Sequence, residues 1–308
     1  MKFLQDEFPK GTFKNQKSDG AYIDETLANN LDIYAKKIID DMHFLILISG
    51  NDSVGNGKST LATHIGCYLT SKINELHKKN NTFTSGNVAL ESKKLVDQSF
   101  ELPKYSVVLL DEGDDLVTHG MKQAAVELKR FFRKCRQLNQ ILILILPSFF
   151  ELPKFYALAR SHCLLNVKFH GEFERGLFDF YGPKSKKKLY LKGKRDWDYQ
   201  IINEDFDGNF FGNYTFYPNL VEETEKYKKK KYEDMIDDKE ENQLLNQKQM
   251  QHKVAQKYFM NLHHNLPDIA VPKLANALGI GKTTAYTYIN NYEKEMELRK
   301  TSSVAPGQ

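Results

Sequence analysis

Runs of consecutive apolar residues alternate, in the first half of the chain, with segments whose apolar positions recur at helical spacing. The apolar runs lie at 43–49, 106–110, 141–146 and 164–169, with a shorter strand candidate at 82–85. Continuous apolar runs are typical of strands buried on both faces of a parallel sheet. Helical spacing marks residues 24–40, 61–76, 121–138 and 152–160. This alternation predicts an α/β fold built on an open, mostly parallel sheet of five strands.

The composition of the chain changes after residue 170. Aromatic residues, glycine and lysine dominate the following fifty residues, and we interpret them as a β-appendage of the first domain. A highly charged segment comes next and predicts a linker, helical in part, for which a solvated spacer is favoured over a binding site. The predicted organisation is an N-terminal segment with a helix (1–42), an α/β domain with its appendage (43–220), the charged linker (221–252), a small all-α domain (253–300) and a tail (301–308).

Composition limits the classes of protein to consider. With 308 residues, 41% of them hydrophobic, the chain can bury a sizeable core, which excludes a disordered protein. The net charge of +4 is too small to prove a nucleic-acid partner. Cys67, Cys135 and Cys163 are scattered and form no C-x-x-C pair, which favours a reducing compartment. Since the first residues lack a signal-peptide core and no apolar run approaches about 20 residues, we expect no membrane span and a cytoplasmic location in a prokaryotic cell or a virus-infected host cell.

The first apolar run leads directly into a glycine-rich stretch, GNDSVGNGKST at 50–60. A strand, then glycines, then Lys58 and Ser59 opening a helix is the context of a P-loop, whose backbone N–H groups point at phosphates. We expect Lys58 to bridge the β- and γ-phosphates of ATP, and the Ser59 hydroxyl to bind Mg²⁺. Asp52 stands where the standard spacing has a glycine, and the alternative is a glycine-rich turn that contains GKST by chance. The predicted cofactor-binding residues are Gly50, Gly55, Asn56, Gly57, Lys58, Ser59 and Thr60.

Two carboxylates end the apolar run at 106–110. Asp111 and Glu112 would lie at the carboxyl edge of the sheet, where open α/β sheets bind their ligands. We expect Asp111 to share the metal with Ser59, and Glu112 to act as the general base that activates water. The alternative is a pair of solvent-facing acids at a strand end. A water-activating glutamate favours ATP hydrolysis over the phosphorylation of a small molecule.

These motifs, followed by an Arg/Lys-rich helix and a further apolar strand, resemble the ASCE division of P-loop ATPases. Residues 129–167 resemble the FtsK–HerA branch, which includes the zonular-occludens-toxin-like ATPases of phages and mobile elements. The resemblance covers about residues 43–170. It implies a strand order of 5-1-4-3-2, assembly into a ring, often a hexamer, and an arginine that reaches the neighbour's γ-phosphate. It also implies a catalytic sensor role for Ser148, where those ATPases typically have a glutamine.

Basic residues cluster in two further segments. The helix at 129–138, together with Arg160 and Arg175, offers candidate arginine fingers, although a solvated basic face is favoured for any single one of its residues Lys129, Arg130, Arg133, Lys134 and Arg136. A basic hairpin is predicted at 184–197, with Tyr190, Trp197 and Tyr199 interleaved. Contact with a phosphate backbone and a merely soluble hairpin are equally favoured there. The basic residues of this segment are Lys184, Lys186, Lys187, Lys188, Lys192, Lys194 and Arg195.

The stretch VPKLANALGIGKTTAYTYI at 271–289 has the pattern of two short helices in a tight crossing. It resembles the DNA-binding domain of resolvases and invertases, which implies a recognition helix from about Lys282 to Asn291. The alternative is a helical pair that contacts only proteins. The residues predicted to contact DNA are Lys282, Thr283, Thr284, Tyr286, Thr287 and Asn290.

Together these features predict an ATP-hydrolysing protein that handles DNA for a virus, a plasmid or another mobile element. Packaging, translocation and replication-associated remodelling all fit, with the helix-turn-helix as a tether to duplex DNA. The alternative is an ATP-switched DNA-binding regulator or loader whose hydrolysis is slow and uncoupled. A small-molecule kinase is a third hypothesis, and both Glu112 and the helix-turn-helix count against it.

Overall fold

A computed structural model describes residues 24–50, 55–111, 113, 122–170, 174–210 and 221–302. The predictions for residues 1–23, Asp52, Glu112 and residues 303–308 therefore lie outside the described residues. The chain forms two compact units, divided between Tyr232 and Glu233. Among the helices of the described ranges, none combines the length and apolarity needed to cross a membrane.

A seven-stranded sheet forms the centre of the first unit, which confirms the α/β class. Its strands are β1 Phe44–Gly50, β2 Val88–Ala89, β3 Val107–Leu110, β4 Ile141–Ile145, β5 Cys163–His170, β6 Glu174–Tyr181 and β7 Phe206–Asn209. The spatial order is β2-β3-β4-β1-β5-β6-β7. Neighbours from β2 to β5 are parallel, whereas β5, β6 and β7 pair antiparallel. The five strands β1 to β5 follow the order 5-1-4-3-2 that the resemblance implies. The order of the complete sheet differs from the predicted five-stranded one, because two antiparallel strands, β6 and β7, extend it beyond β5.

Helices connect these strands and continue the chain after the sheet. They are α1 Glu25–Lys37, α2 Lys58–His77, α3 Ser92–Glu101, α4 Lys122–Lys134, α5 Pro183–Gly193, α6 Val221–Asn265, α7 Val271–Ala277 and α8 Lys282–Ser302. Asp24 begins α1, where its carboxylate accepts hydrogen bonds from the N–H groups of Thr26 (2.9 Å) and Leu27 (3.3 Å).

Both faces of β1 are buried, as the continuous apolar run predicts. Ile46 and Ile48 belong to one hydrophobic cluster together with the buried faces of α1 and α2. Leu45 and Leu47 belong to the other cluster, which includes residues of α3 and α4. Each fully buried side chain of this kind contributes roughly 1.5–3 kcal/mol relative to an exposed one. The sheet therefore lies between the two hydrophobic clusters of the first unit.

The strand predicted at 82–85 is wrong, and β2 lies a few residues further on. The polar side chains of this segment satisfy a tight turn rather than a sheet. Thr84 accepts a hydrogen bond from the N–H of Gly86 (3.2 Å), and Asn87 Oδ1 accepts one from the N–H of Thr84 (3.0 Å). This reciprocal capping stabilises one turn of 3₁₀ helix at Ser85–Asn87.

The basic hairpin predicted at 184–197 is also wrong, because most of it forms α5. Pro183 suits the first turn of a helix, and Leu189 and Tyr190 are buried on one face. Lys186 is only 1% exposed, and its ammonium donates to the carbonyl and the hydroxyl of Ser161. Lys186 therefore cannot contact a phosphate backbone. The lysines on the solvent side of the helix are Lys184, Lys187, Lys188 and Lys192. In its described residues, 174–210, the predicted β-appendage accordingly consists of the strands β6 and β7 and the helix α5.

Three helical segments share one small core in the second unit. Its buried residues are Phe259, Leu274, Ala275, Ala285 and Tyr288. The turn between α7 and α8 passes through Gly279, whose φ of +64° favours glycine. The N–H of Ile280 then donates to the carbonyl of Ala275 (2.9 Å), which closes the end of α7.

Candidate active site

A cleft of about 730 Å³ opens beyond the carboxyl ends of β1, β3 and β4. This edge is where parallel sheets bind ligands. The predicted phosphate loop forms one wall, and residues after β3 and β4 form another. Arg175, Tyr227 and Lys231 complete the lining, together with Gly55, Asn56, Gly57, Lys58, Ser59, Thr60, Asp111, Ile145, Leu146 and Pro147.

Close packing constrains the described parts of the predicted phosphate loop, which are Gly50 and the residues from Gly55 onward. Gly57, directly before α2, has a φ of +102°, and a Cβ there would lie 3.0 Å from the ring of Phe210. A Cβ at Gly50 would clash with the amide nitrogen of the Asn56 side chain. That same nitrogen donates to the carbonyl of Val167 (3.0 Å), which ties the loop to β5. Gly50 is not among the residues lining the cleft, so its contribution is to let Asn56 pack.

The loop ends where α2 begins, and Lys58, Ser59 and Thr60 form the first turn of that helix. Backbone N–H groups in a first helical turn have no partner within the helix, so they can bind an anion. No residue of this turn is acidic. Together with the ammonium of Lys58, this wall of the cleft suits a phosphate group.

Ser59 and Asp111 line the cleft and are in direct contact. The Ser59 hydroxyl donates a 2.9 Å hydrogen bond to Oδ1 of Asp111, whose residue is only 1% exposed. Hydroxyl and carboxylate oxygens are the donors that Mg²⁺ prefers, and phosphate oxygens and water usually complete its shell. The two predicted metal-binding residues are therefore adjacent and chemically suited to Mg²⁺. No group of three His, Cys, Asp or Glu residues suited to a metal occurs in the described part of the chain.

The start of α6 also contacts Asp111, which the sequence did not predict. The hydroxyl of Tyr227 donates to Oδ2 of Asp111, and the ammonium of Lys231 lies 3.6 Å from the same oxygen. The high charge of this segment indicated a solvated spacer. A signal was nevertheless present, because Tyr227 is an aromatic residue within a run of charged ones and lies four residues before Lys231.

Two further contacts hold the same helix near β2. The carboxylate of Glu223 accepts hydrogen bonds from the N–H (3.0 Å) and the hydroxyl (2.6 Å) of Ser85. Lys226 and Ser85 lower the pKa of Glu223 to about 2 because both donate hydrogen bonds to its carboxylate. The ammonium of Lys230 donates to the carbonyl of Val88.

The candidate arginine fingers lie in different places. Arg175 belongs to the chain's own cleft, since its guanidinium would be 3.5 Å from a Cβ at Gly55. Burial, followed by the charges of Arg160 and Arg136, lowers the pKa of His43, which precedes β1. Since β1 spans roughly 20 Å at about 3.3 Å per residue, those two arginines are far from the cleft at its other end.

The other basic residues of the predicted helix at 129–138 have mixed surroundings. Arg136 pairs with Asp41 at 2.9 Å on the surface. Lys129 and Arg133 lie over the ring of Phe155 at 5.4 and 6.0 Å, and Arg160 covers it at 5.2 Å. These contacts favour a structural role for the cluster within the single chain.

The two other predicted catalytic residues differ in what can be said of them. Glu112 lies outside the described residues. Ser148 is fully buried, and its hydroxyl accepts a 3.4 Å hydrogen bond from the N–H of Phe150. It follows the lining residue Pro147 but does not itself line the described cleft.

The predicted DNA-contacting residues lie on the solvent-facing side of α8. Ala285 and Tyr288 face the core of the second unit, so the residues between them face outward. Thr284 is half-buried, and the hydroxyl of Thr287 donates to the carbonyl of Thr283 (2.9 Å). The exposed members are Lys282, Thr283, Tyr286, Thr287 and Asn290.

Two regions of the described chain bring predicted functional residues together, one in each unit. The cleft combines a phosphate-suited helix start, an oxygen pair for a metal and the contacts from α6. The second unit presents a polar helix face beside a tight turn. No protein-family model matches the chain, and a comparison with curated proteins finds no match either.

Proposed function

We propose that the chain binds ATP with Mg²⁺ in the cleft and hydrolyses it in the course of handling DNA. The observation that carries this proposal is the hydrogen bond between Ser59, at the start of α2, and Asp111, at the end of β3. In a P-loop nucleotide site these two positions supply the metal-binding oxygens. A glycine-rich turn that merely contains GKST would not require a buried carboxylate opposite its serine.

In this proposal each residue of the site has a separate role in phosphoryl transfer. The first-turn N–H groups and Lys58 hold the phosphates and orient the terminal one. Ser59 and Asp111 hold Mg²⁺, which, when bound, neutralises charge that develops on the phosphate oxygens. Arg175, which lines the same cleft, would add positive charge from within the same chain. Glu112, directly after Asp111, accepts the proton of the attacking water.

The second unit supplies the DNA tether in this proposal. Two helices joined by a tight turn, with small Ala275 and Ala285 in their common core, are the arrangement of a helix-turn-helix. The polar outer face of α8 would enter the major groove. Lys282 is the single lysine among the six predicted DNA-contacting residues, which indicates weak binding by one copy, so assembly of several copies is part of the proposal.

A nucleotide-switched regulator or loader is the second candidate function. The specific observation in its favour is that Asp111 is engaged by Tyr227 and Lys231 from α6, so that nucleotide binding and the position of this helix are linked. In such a protein, hydrolysis would be slow and insensitive to DNA.

One experiment separates these functions. Steady-state ATP hydrolysis by the full chain is measured while duplex DNA is titrated, with Glu112→Gln as the test variant. Glu101→Gln, at the exposed end of α3, makes the same chemical change away from the cleft. Stimulation by DNA that Glu112→Gln abolishes and Glu101→Gln keeps supports the DNA-coupled ATPase. DNA binding without stimulation favours the regulator, and no nucleotide binding at all rejects both.

A further inference from the structure

The first turns of α6 present one helical face to the candidate active site. We call this face the docking face, and it consists of Glu223, Tyr227, Lys230 and Lys231. Residues three and four apart share one side of a helix, which explains how four contacts arise from nine residues of chain. Glu223 and Lys230 bind the backbone around β2, and Tyr227 and Lys231 bind the carboxylate of Asp111.

The docking face contacts the carboxylate oxygen of Asp111 that does not accept the hydrogen bond from Ser59. Oδ1 accepts from Ser59, whereas Oδ2 accepts from Tyr227 and lies near the ammonium of Lys231. Asp111 is 1% exposed, so protein groups rather than bulk water satisfy its charge. Both oxygens of the predicted metal ligand are therefore engaged by the chain itself.

A divalent cation at Ser59 and Asp111 would be incompatible with the contacts that Tyr227 and Lys231 make with Oδ2 of Asp111. Mg²⁺ requires nearly octahedral oxygen ligands at about 2.0–2.1 Å, so water and phosphate oxygens must occupy the space beside the carboxylate. The ion would also bring two positive charges next to the ammonium of Lys231, and like charges repel strongly where solvent is excluded. The cation and the docking face therefore compete for Asp111.

We propose that the docking face is an autoinhibitory latch on the nucleotide site. It holds Asp111 in the nucleotide-free chain and is released when Mg²⁺ and a nucleoside triphosphate occupy the cleft. This inference rests on the proposed function, because it requires that the cleft bind Mg²⁺ with a nucleotide. The effect is reciprocal: a ligand that competes with the latch must loosen it, and removing the latch must strengthen binding of that ligand.

Neighbouring residues of the same helix provide matched controls. Lys228 pairs with Glu225 at 2.8 Å on the surface, with 58% of its side chain exposed. Tyr232 is 66% exposed. Lys228→Met and Tyr232→Phe thus repeat the chemical changes of Lys231→Met and Tyr227→Phe on the same helix, away from the docking face.

The first test is amide hydrogen exchange of the full chain. A non-hydrolysable ATP analogue is added either with Mg²⁺ or with EDTA, and binding of a fluorescent form of it is followed in parallel by anisotropy. We expect exchange within residues 223–231 to become faster with Mg²⁺ and analogue than with analogue and EDTA. If the analogue binds with Mg²⁺ while exchange in this segment is unchanged, the latch is wrong and the proposed function stands.

The second test measures the affinity of the variants for the same analogue. Tyr227→Phe and Lys231→Met should each lower the dissociation constant with Mg²⁺, on the order of ten-fold for the pair combined, and leave it unchanged with EDTA. The two control variants should match the wild type. Weaker binding in Tyr227→Phe and Lys231→Met would make the docking face part of the nucleotide site and overturn the latch. Failure of wild type and all variants to bind the analogue would overturn the proposed function, and the latch with it.

Discussion

The Ser59 hydroxyl donates a 2.9 Å hydrogen bond to Oδ1 of Asp111, although 52 positions separate the two residues in the chain. Ser59 lies in the first turn of α2, which follows β1, and Asp111 directly follows β3. β4 lies between these two strands in the sheet. Because the strands are parallel, their carboxyl ends meet at one edge, and the topology brings the hydroxyl and the carboxylate together.

This pair predicts a selective loss of metal-dependent binding in Ser59→Ala. Removing the hydroxyl takes away one of the two protein oxygens offered to Mg²⁺ and one hydrogen bond to a buried carboxylate. Charge-assisted hydrogen bonds contribute about 1.5–3 kcal/mol, so we expect roughly a ten-fold to hundred-fold higher dissociation constant for ATP with Mg²⁺. Binding measured in EDTA should change little. Isothermal titration calorimetry with and without Mg²⁺ checks both values.

Ser71→Ala is the matched control for this change. Ser71 lies in the same helix, three turns further along, so the substitution changes an equivalent hydroxyl outside the cleft. Equal weakening in Ser59→Ala and Ser71→Ala, or equal weakening with and without Mg²⁺, would argue against a metal site at Ser59 and Asp111.

The sequence predicted the parts of the fold that depend on local patterns. The four long apolar runs form β1, β3, β4 and β5, and the glycine-rich stretch lies between β1 and α2. The prediction for α5 was wrong because a short lysine-rich sequence fits both the alternation of a strand and the spacing of a helix. The burial of Lys186 distinguishes the helix from the predicted hairpin. The contact between Tyr227 and Asp111 was not predicted, for another reason. It joins residues 116 positions apart, and no local pattern specifies such a pairing.

Ser148→Ala distinguishes a structural serine from a catalytic one. Ser148 is buried with its hydroxyl on the N–H of Phe150, so we expect the substitution to lower the free energy of unfolding by about 1 kcal/mol. The rate of ATP hydrolysis should stay within about two-fold of wild type, whereas a group that stabilises the transition state costs roughly 10²–10³-fold. Thermal denaturation and steady-state kinetics give the two numbers. A loss of hydrolysis at unchanged stability would support the sensor role of Ser148 that the resemblance implies.

The exposed side of α5 offers a test of DNA backbone contact. Lys187 and Lys188 are exposed there, and each phosphate contact steepens the dependence of log Kobs on log salt by about 0.9. If both lysines contact DNA, Lys187→Gln with Lys188→Gln should lower the slope by roughly 2, as measured by fluorescence anisotropy from low to moderate salt. Lys36→Gln with Lys37→Gln, at the end of α1, makes the same change in charge. An unchanged slope in the α5 variant would favour a solvated basic face.

His162 links stability to pH at the amino end of β1. Its Nδ1 accepts a 3.1 Å hydrogen bond from the N–H of Leu45, and its ring packs edge-on against Phe44. Burial, followed by the positive charges of His43 and Lys186, lowers the pKa of His162 to about 4. The folded chain therefore holds a neutral ring where the unfolded chain, with a pKa near 6.5, takes up a proton.

We expect this histidine to make the folded state less stable as the pH falls from about 6.5 towards 4. In that range the unfolded state binds more protons, so the free energy of unfolding falls, with a steepest slope approaching about 1.4 kcal/mol per pH unit for one group. His162→Asn keeps an acceptor for the N–H of Leu45 and removes the titration. Chemical denaturation at several pH values should show that the free energy of unfolding of the variant depends less on pH than that of the wild type. Part of the dependence remains in the variant, because the pKa of His43 is also lowered. Parallel profiles for wild type and variant would mean that His162 takes up its proton at the same pH in the folded and the unfolded chain, which would contradict the lowered pKa of this histidine.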